Sequence, residues 1–250
     1  MAECLDIEGH TSRSFDGALS SLHVKLVEMG GLVLLQVRES GNAYAEWEQG
    51  LARGVLERER TVNGYDAAVD AEALRIIARR QPVASDLRAV IGMSKIVAEL
   101  ERAGDEAKKI ALTVLGRSGR AGERPGPATA RDARHLVRLA ANMLRLALDA
   151  LDRLDPQLAR QVIALDAELD AEYANGMRRL LTRAMEDSRF FSIALEAAFV
   201  LKSLERIGDH ARNVSRLVLT IAGDADRDAQ QNTVAELRLE LNPPPSAATR

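Results

Sequence analysis

An octapeptide that occurs twice constrains the fold of this chain more than any other feature. LERAGDEA covers residues 100–107 and LERIGDHA covers residues 204–211, so the two copies lie 104 positions apart. Each copy has two acids four residues apart, with a glycine directly before the second acid. Neither feature favours a helix, because like charges at this spacing repel and a helix-interior glycine costs about 1 kcal/mol relative to alanine. A local penalty that is repeated in this way indicates a duplicated unit that carries a site.

Both copies lie within segments whose apolar residues recur every three or four positions, which is the spacing of amphipathic helices. This periodicity predicts helices over about residues 15–37, 43–80, 85–115, 130–154, 156–186 and 189–221. Each copy falls in the third helix of a group of three. The chain is therefore predicted to be all-α, with two tandem antiparallel three-helix bundles related by an internal repeat.

Turn-forming residues separate these helices. Residues 40–42, Ser-Gly-Asn, are expected to end the first helix, and Pro82 to break the chain after the second. Asp155 and Pro156 are expected to form the N-cap and first turn of the fifth. The Gly-, Pro- and Arg-rich stretch from Gly116 to Ala128 has no periodicity and is typical of a linker.

These signals predict four segments. Residues 1–117 form the first bundle, 118–129 the linker, 130–222 the second bundle and 223–250 a disordered tail. The core must be aliphatic, because only 3% of the residues are aromatic.

The composition also excludes several classes of protein. A net charge of −3 and scarce aromatics give no basis for nucleic-acid binding. The single cysteine, Cys4, excludes an internal disulfide framework and a cysteine-rich zinc site. The N-terminus is acidic where a secretory signal would be basic, and no run approaches the ~18 consecutive apolar residues of a membrane span. A cytoplasmic protein without membrane insertion is expected.

The repeated acids are the candidate site. Helix spacing places Glu101 above Asp105 on one face, and Glu205 above Asp209. The second helix of each repeat adds an acid pair at the same spacing, and antiparallel packing would bring the pairs together. The candidate metal ligands are therefore Glu101, Asp105, Glu205, Asp209, Asp66, Asp70, Asp166 and Asp170.

Such a cluster requires cations or raised carboxyl pKa values. Its hard oxygen ligands suit magnesium, calcium or manganese, with carboxylate-bridged iron as a further candidate and zinc less natural. Gly104 and Gly208 would leave room beside the acids for a neighbouring helix or a hydrated cation. The competing interpretation is that each acid forms an ordinary surface ion pair worth about 0.3–0.5 kcal/mol, leaving a plain helical scaffold.

The main enzymatic alternative is a carboxylate-bridged metal protein or metal-dependent redox protein on a helical bundle. Its signature is Glu-x-x-His on two helices, and none of the four histidines has glutamate three residues before it. His210 lies about 100° around the helix from Asp209 and is expected at the surface. The chain has no nucleophile–base pairing and no phosphate-binding glycine-rich loop, so no catalytic residues are assigned.

Longer segments around these motifs resemble the PhoU family. The resemblance rests on RRQPVASDLR (79–88), LERAGDEAKKIA (100–111) and LERIGDHARNV (204–214), and the HTSRSFDGAL and VEMGGLV segments near the start are also similar to the family. It spans about residues 10–222. The sequence departs from the family pattern at Ala103, Glu106 and Lys109, and these departures leave the acids intact.

This resemblance implies a function that the residues alone do not. Members are cytoplasmic regulators of phosphate uptake and of phosphate-starvation signalling, and their Glu-x-x-x-Asp motifs are associated with polynuclear metal clusters. The chain is then expected to be a non-catalytic adaptor between a phosphate importer ATPase and a phosphate-sensing histidine kinase. A homodimer is also expected, which would reach the membrane only through its partners. A relative that serves a different phosphate transporter would carry the same motifs.

Overall fold

A computed structural model describes residues 13–82, 84–116 and 124–224. Within these ranges the chain forms α-helices and a short 3-10 turn at Ser188–Phe190, and it forms no strand. The all-α prediction is confirmed. The helices are α1 (Arg13–Glu46), α2 (Gln49–Arg80), α3 (Ser85–Gly116), α4 (Pro127–Arg153), α5 (Pro156–Glu186) and α6 (Phe191–Ile221).

The helices form two three-helix units that share one core. In the first unit α1, α2 and α3 pack against one another, and in the second α4 and α5 pack against each other and against α6. The units meet where α1 contacts α4 and where α3 contacts α6. The buried side chains are mainly Leu, Val, Ile, Ala and Met and form one continuous cluster. Burial of this aliphatic surface is the main force that stabilises the fold.

The predicted end of the first helix was wrong. The helix continues through Ser-Gly-Asn to Glu46. Ser40 is fully buried within this helix, and its Oγ donates a 3.1 Å hydrogen bond to the carbonyl of Val37, so the buried hydroxyl is satisfied. Gly41 faces α4, where a Cβ would lie 2.0 Å from Cγ2 of Val137. The glycine therefore permits close packing of two helices instead of ending one, and α2 begins at Gln49 rather than near residue 43.

Other predicted boundaries were confirmed. Helix α2 ends at Arg80, and Gln81 follows in the left-handed conformation with φ 47°. Asp155 is the N-cap of α5, since its carboxylate accepts hydrogen bonds from the backbone N–H groups of Gln157 at 2.8 Å and Leu158 at 3.3 Å. Pro156 is the first helical residue.

The predicted linker and tail fall partly outside the described residues. Helix α4 begins at Pro127, so the last three positions of the predicted linker are helical. Residues 117–123 and 225–250 lie outside the description.

Helix α1 is strongly apolar over part of its length. Residues Phe15–Glu46 have a mean hydropathy of 1.4 over their most apolar window, which by length and composition would allow a membrane span. The sequence-based expectation counted consecutive apolar residues and missed this average. Leu22, Leu26 and Met29 of this helix are fully buried against the other helices. These three residues belong to the core, and 39% of the apolar window as a whole is buried.

Candidate functional site

The acids of the first repeat converge between α2 and α3. Burial raises the pKa of Glu101, and the negative charges of Asp105, Asp66 and Glu59 raise it further. Burial and the charge of Asp70 raise the pKa of Asp66 in the same way. Because Asp66 and Glu59 belong to α2, the two helices bring their acids together at one height.

Glu59 is a member of this cluster that the sequence analysis missed. It is 4% exposed and accepts a 3.1 Å hydrogen bond from Nε2 of the buried Gln36. Nζ of Lys108 lies 3.5 Å from Glu59 and 3.1 Å from Asp105, so one lysine bridges the two carboxylates. The signal was present, because Glu59 stands between Val55 and Val62 in the apolar stripe of its helix.

Gly104 leaves the space in which these polar groups lie. A Cβ at this position would be 3.2 Å from Oε1 of Gln36 and 3.5 Å from Oε2 of Glu59. The Oε1 atom of Gln36 is buried without a hydrogen-bond partner. The first repeat therefore places an uncompensated amide oxygen next to a carboxylate, inside the helix packing.

Asp70 is the least involved of the predicted ligands in this repeat. It is exposed, and its Oδ1 accepts a 2.7 Å hydrogen bond from Oγ of Ser94. Its charge acts on Asp66.

In the second repeat an arginine joins the acids of α5 and α6. The guanidinium of Arg212 pairs with Asp166, and its Nη2 lies 2.6 Å from Oδ1 of Asp209. Burial raises the pKa of Asp170, and the charges of Asp166 and Asp209 add to this effect. These three aspartates therefore lie close together.

Glu205 has a different neighbour. Oε2 of Glu205 is paired at 2.6 Å with Nζ of Lys202, one turn earlier on the same helix. The structure thus gives every predicted second-repeat acid except Asp170 a basic partner within ion-pair distance.

Gly208 allows close contact between α5 and α6. A Cβ at this position would lie 2.0 Å from Cδ2 of Leu169. Leu169 lies between Asp166 and Asp170 in sequence, so this contact fixes the height at which the α5 aspartates meet α6. The expected role of this glycine in helix approach is confirmed.

The two clusters contain carboxylate oxygens, which suit hard cations, but these oxygens do not form a complete coordination sphere. Within the ranges that the structure describes, no three His, Cys, Asp or Glu side chains are grouped closely enough to hold a metal ion. Lys108 and Arg212 lie among the carboxylates and neutralise part of their charge. The donor chemistry fits magnesium, manganese or iron, and binding would require these two cations to give way.

A second group of polar residues lies where the repeats meet. Oε2 of Glu99 on α3 is 2.9 Å from Nδ1 of His210 and accepts a 2.9 Å hydrogen bond from Nδ2 of Asn213, both on α6. His210 is 9% exposed, so the expectation of a surface position was wrong. The residue points away from the acid pair, as its helical offset required, but the other repeat covers it.

Comparisons with known proteins agree with the duplicated architecture. The model of the family described as PhoU domain matches residues 26–114 and again residues 133–218. A Pseudomonas putida protein named phosphate-specific transport system accessory protein PhoU homolog is 43% identical over 217 residues, covering 87% of this chain and 84% of the relative. The Escherichia coli K12 protein of that system, PhoU, is 37% identical over 216 residues, covering 86% of this chain and 88% of the relative.

Solved structures show the same fold. The crystal structure of PhoU from Pseudomonas aeruginosa aligns with a TM-score of 0.78 at 41% identity, covering 83% of this chain and 98% of that chain. The phosphate transport system regulatory protein PhoU from Streptococcus pneumoniae aligns with a TM-score of 0.74 at 23% identity, covering 83% of this chain and 96% of that chain.

Proposed function

Because this chain belongs to the PhoU family, we propose that it is a cytoplasmic, non-catalytic accessory protein that regulates phosphate uptake and phosphate-starvation signalling. The main observation in support of this proposal is that the family model matches both repeats, over residues 26–114 and 133–218. Relatives at 43% and 37% identity, aligned over most of both chains, are named as accessory proteins of phosphate-specific transport. In this role the chain acts as an adaptor between a phosphate importer ATPase and a phosphate-sensing histidine kinase.

A reporter assay tests this regulatory role. Deleting the gene should activate a phosphate-starvation promoter in phosphate-rich medium, and a plasmid copy should restore repression. A reporter that stays silent in the deletion strain at high phosphate would refute the proposed role.

Metal binding is the second part of the proposal. Glu101, Asp105, Asp66 and Asp70 would hold a hard cation in the first repeat, with Glu205, Asp209, Asp166 and Asp170 in the second. The support is the convergence of carboxylates, which raises the pKa values of Glu101, Asp66 and Asp170. A bound iron, manganese or magnesium ion would supply positive charge where like charges now meet, and Lys108 and Arg212 would turn outward.

Elemental analysis of untagged protein tests this part. Near-stoichiometric metal is expected in the parent and should be lost when Glu101→Gln, Asp105→Asn, Glu205→Gln and Asp209→Asn are combined. A control with Glu57→Gln and Glu168→Gln, two exposed acids on α2 and α5, should keep the metal.

A metal-free parent would contradict the metal proposal and leave the accessory role standing. In that case the Glu101→Gln variant should be more stable than the parent at neutral pH. The raised pKa of Glu101 means that its charged form is disfavoured in the folded chain, so removing the charge removes a penalty. Oxygen consumption by iron-loaded protein would instead favour the redox alternative.

The proposed adaptor is a homodimer. Size-exclusion chromatography with light scattering measures its mass directly, against 27.2 kDa for one chain.

A further inference from the structure

The contact between α3 and α6 contains two pairs of facing positions, and the internal repeat makes one pair equivalent to the other. Glu99 of the first repeat corresponds to Ser203 of the second, and Glu106 corresponds to His210. Exchanging the repeats therefore maps the contact between Glu99 and His210 onto a contact between Ser203 and Glu106. The first place is filled, since Glu99 reaches across to His210 and Asn213.

The second place is an open cleft. Ser203 is too short to cross the gap that Glu99 spans in the other repeat, and a cleft of about 270 Å³ remains. Glu106, Lys109 and Ile110 of α3 line one wall, and Phe199, Ser203 and Arg206 of α6 line the other. The cleft thus lies where the short Ser203 occupies the position that corresponds to Glu99.

Positive charge surrounds this cleft. Side chains of Lys109, Lys202 and Arg206 are 54%, 47% and 51% exposed. The carboxylate at its base, Glu106, is 3% exposed and is shared by Lys109 at 2.8 Å and Arg206 at 3.1 Å. Lys202 pairs in turn with Glu205, which is 12% exposed. Three exposed cations therefore stand against two largely buried carboxylates, and this gives a basic rim on a protein whose net charge is −3.

An apolar stripe leads along α6 into the same cleft. Phe191, Leu195 and Phe199 follow one another at four-residue spacing and therefore share a helix face. They are 63%, 49% and 64% exposed, and Phe199 also lines the cleft. The first repeat keeps only part of this stripe. Ile91 corresponds to Leu195 and is 41% exposed, but Lys95 occupies the position that corresponds to Phe199. Large exposed aromatic side chains next to a cleft are typical of protein-interaction surfaces.

We propose that this α6 surface, the cleft together with Phe191, Leu195 and Phe199, binds an acidic amphipathic segment of a partner protein. Apolar side chains of that segment cover the stripe and enter the cleft, and its carboxylates pair with Lys109, Lys202 and Arg206. The combination of an apolar stripe with a basic rim selects this chemistry over a purely apolar or a basic partner. The inference rests on the proposed adaptor function and names the surface that performs it.

Binding measurements on the full-length chain test the proposal. The probes are the importer with its ATPase and the full-length sensor kinase of the same bacterium, each solubilised in detergent. Phe199→Glu and Leu195→Glu place negative charge on exposed positions, so folding should be retained, and thermal unfolding checks this. Each should raise the Kd for at least one probe by 10-fold or more. Leu74→Glu is the matched control, since Leu74 is 68% exposed on α2, and it should leave both Kd values unchanged.

Ser203→Gln is a second variant, which fills the cleft with a longer neutral side chain and places no second carboxylate beside the buried Glu106. Its thermal unfolding is checked in the same way. This variant should raise the Kd for the same probe. Affinity for the parent should also fall as salt rises, because the rim contacts are electrostatic. A photo-crosslinker at position 199 should label an acidic segment of that partner.

Other outcomes separate the hypotheses. If a probe binds and Phe199→Glu, Leu195→Glu and Ser203→Gln leave its Kd unchanged, the α6 surface is refuted and the adaptor function survives. If neither probe binds the parent, both proposals fall. A crosslinked segment that is basic, loss of dimer mass in Phe199→Glu, or binding of the parent to anionic phosphatidylglycerol vesicles that Phe199→Glu abolishes would each overturn the assignment to an acidic partner protein.

Discussion

At the scale of single residues, Glu99 couples the two repeats and makes the coupling depend on pH. Burial by itself would raise the pKa of Glu99, but the hydrogen bonds from His210 and Asn213 and the nearby positive charge bring it below the ordinary value of 4.5. A lowered carboxyl pKa stabilises the folded chain above the unfolded value. This stabilisation is lost as the pH falls through the lower folded value.

The Glu99→Gln variant tests the direction of this pH dependence of stability. Urea unfolding should show a lower free energy of unfolding than the parent at about pH 6, with the difference shrinking towards about pH 3.5. Glu57→Gln, at an exposed position, should follow the parent at both values. A Glu99→Gln deficit that stays constant over this range would mean that the ionised carboxylate does not contribute.

Gly208 gives a second prediction at this scale. In Gly208→Ala the new Cβ would lie 2.0 Å from Cδ2 of Leu169, which is itself 1% exposed, so this buried side chain must move. Overpacking of this kind costs about 1–3 kcal/mol and should exceed the gain in helix propensity. Gly64→Ala is the control, because nothing lies within 4 Å of its Cβ position, and it should stabilise the protein by about 0.5–1 kcal/mol. Thermal unfolding of the two variants should shift in opposite directions.

Individual residues also show which contacts can be predicted from sequence patterns and which cannot. The i and i+4 spacing together with antiparallel packing predicted Asp66 close to Glu101, and likewise Asp166 and Asp170 near Asp209. Glu59 was missed although its place in the apolar stripe indicated a buried acid. Its partner Gln36 could not be predicted, because it comes from a third helix. His210 was misplaced for a related reason, since a helical wheel shows which face a residue occupies but not that a second repeat covers that face.

At the scale of helices, local signals were reliable where the physical cause is local. Asp155 and Pro156 marked the start of α5, because capping depends only on neighbouring N–H groups. Gly41 gave a wrong helix end, because its role depends on Val137 of α4, about 100 residues away in sequence. A glycine that ends a helix and a glycine that permits helix packing look alike in a single sequence.

The Asp155 cap provides the prediction at this scale. Asp155→Ala removes the acceptor for the N–H groups of Gln157 and Leu158 and should lower the free energy of unfolding by about 1 kcal/mol. Asp155→Asn keeps an acceptor oxygen and should lose much less. Equal losses in the two variants, measured by urea unfolding, would show that the charge and not the cap is responsible.

At the scale of the whole molecule, duplication explains why the fold was predictable and the interface between the repeats was not. Each repeat carries its own periodicity, so six helices and their grouping follow from the sequence. The contacts between repeats involve positions that have diverged, such as Glu99 against Ser203 and Phe199 against Lys95. Packing of α1 on α4 and of α3 on α6 then joins the two units into one core.

A shared core predicts that the two repeats unfold together. Trp47 is the only tryptophan in the chain and belongs to the first repeat, where its ring lies 6.2 Å from that of Tyr44. Leu180 is buried in α5 of the second repeat, and Leu180→Ala should destabilise the protein by about 2–5 kcal/mol. If the core is cooperative, this change shifts the Trp47 fluorescence transition and the far-UV circular dichroism transition to the same lower urea concentration. A fluorescence transition that stays at the parent's midpoint while the dichroism splits into two steps would show instead that the first repeat is stable on its own, and that contacts such as Glu99 with His210 only align two independent bundles.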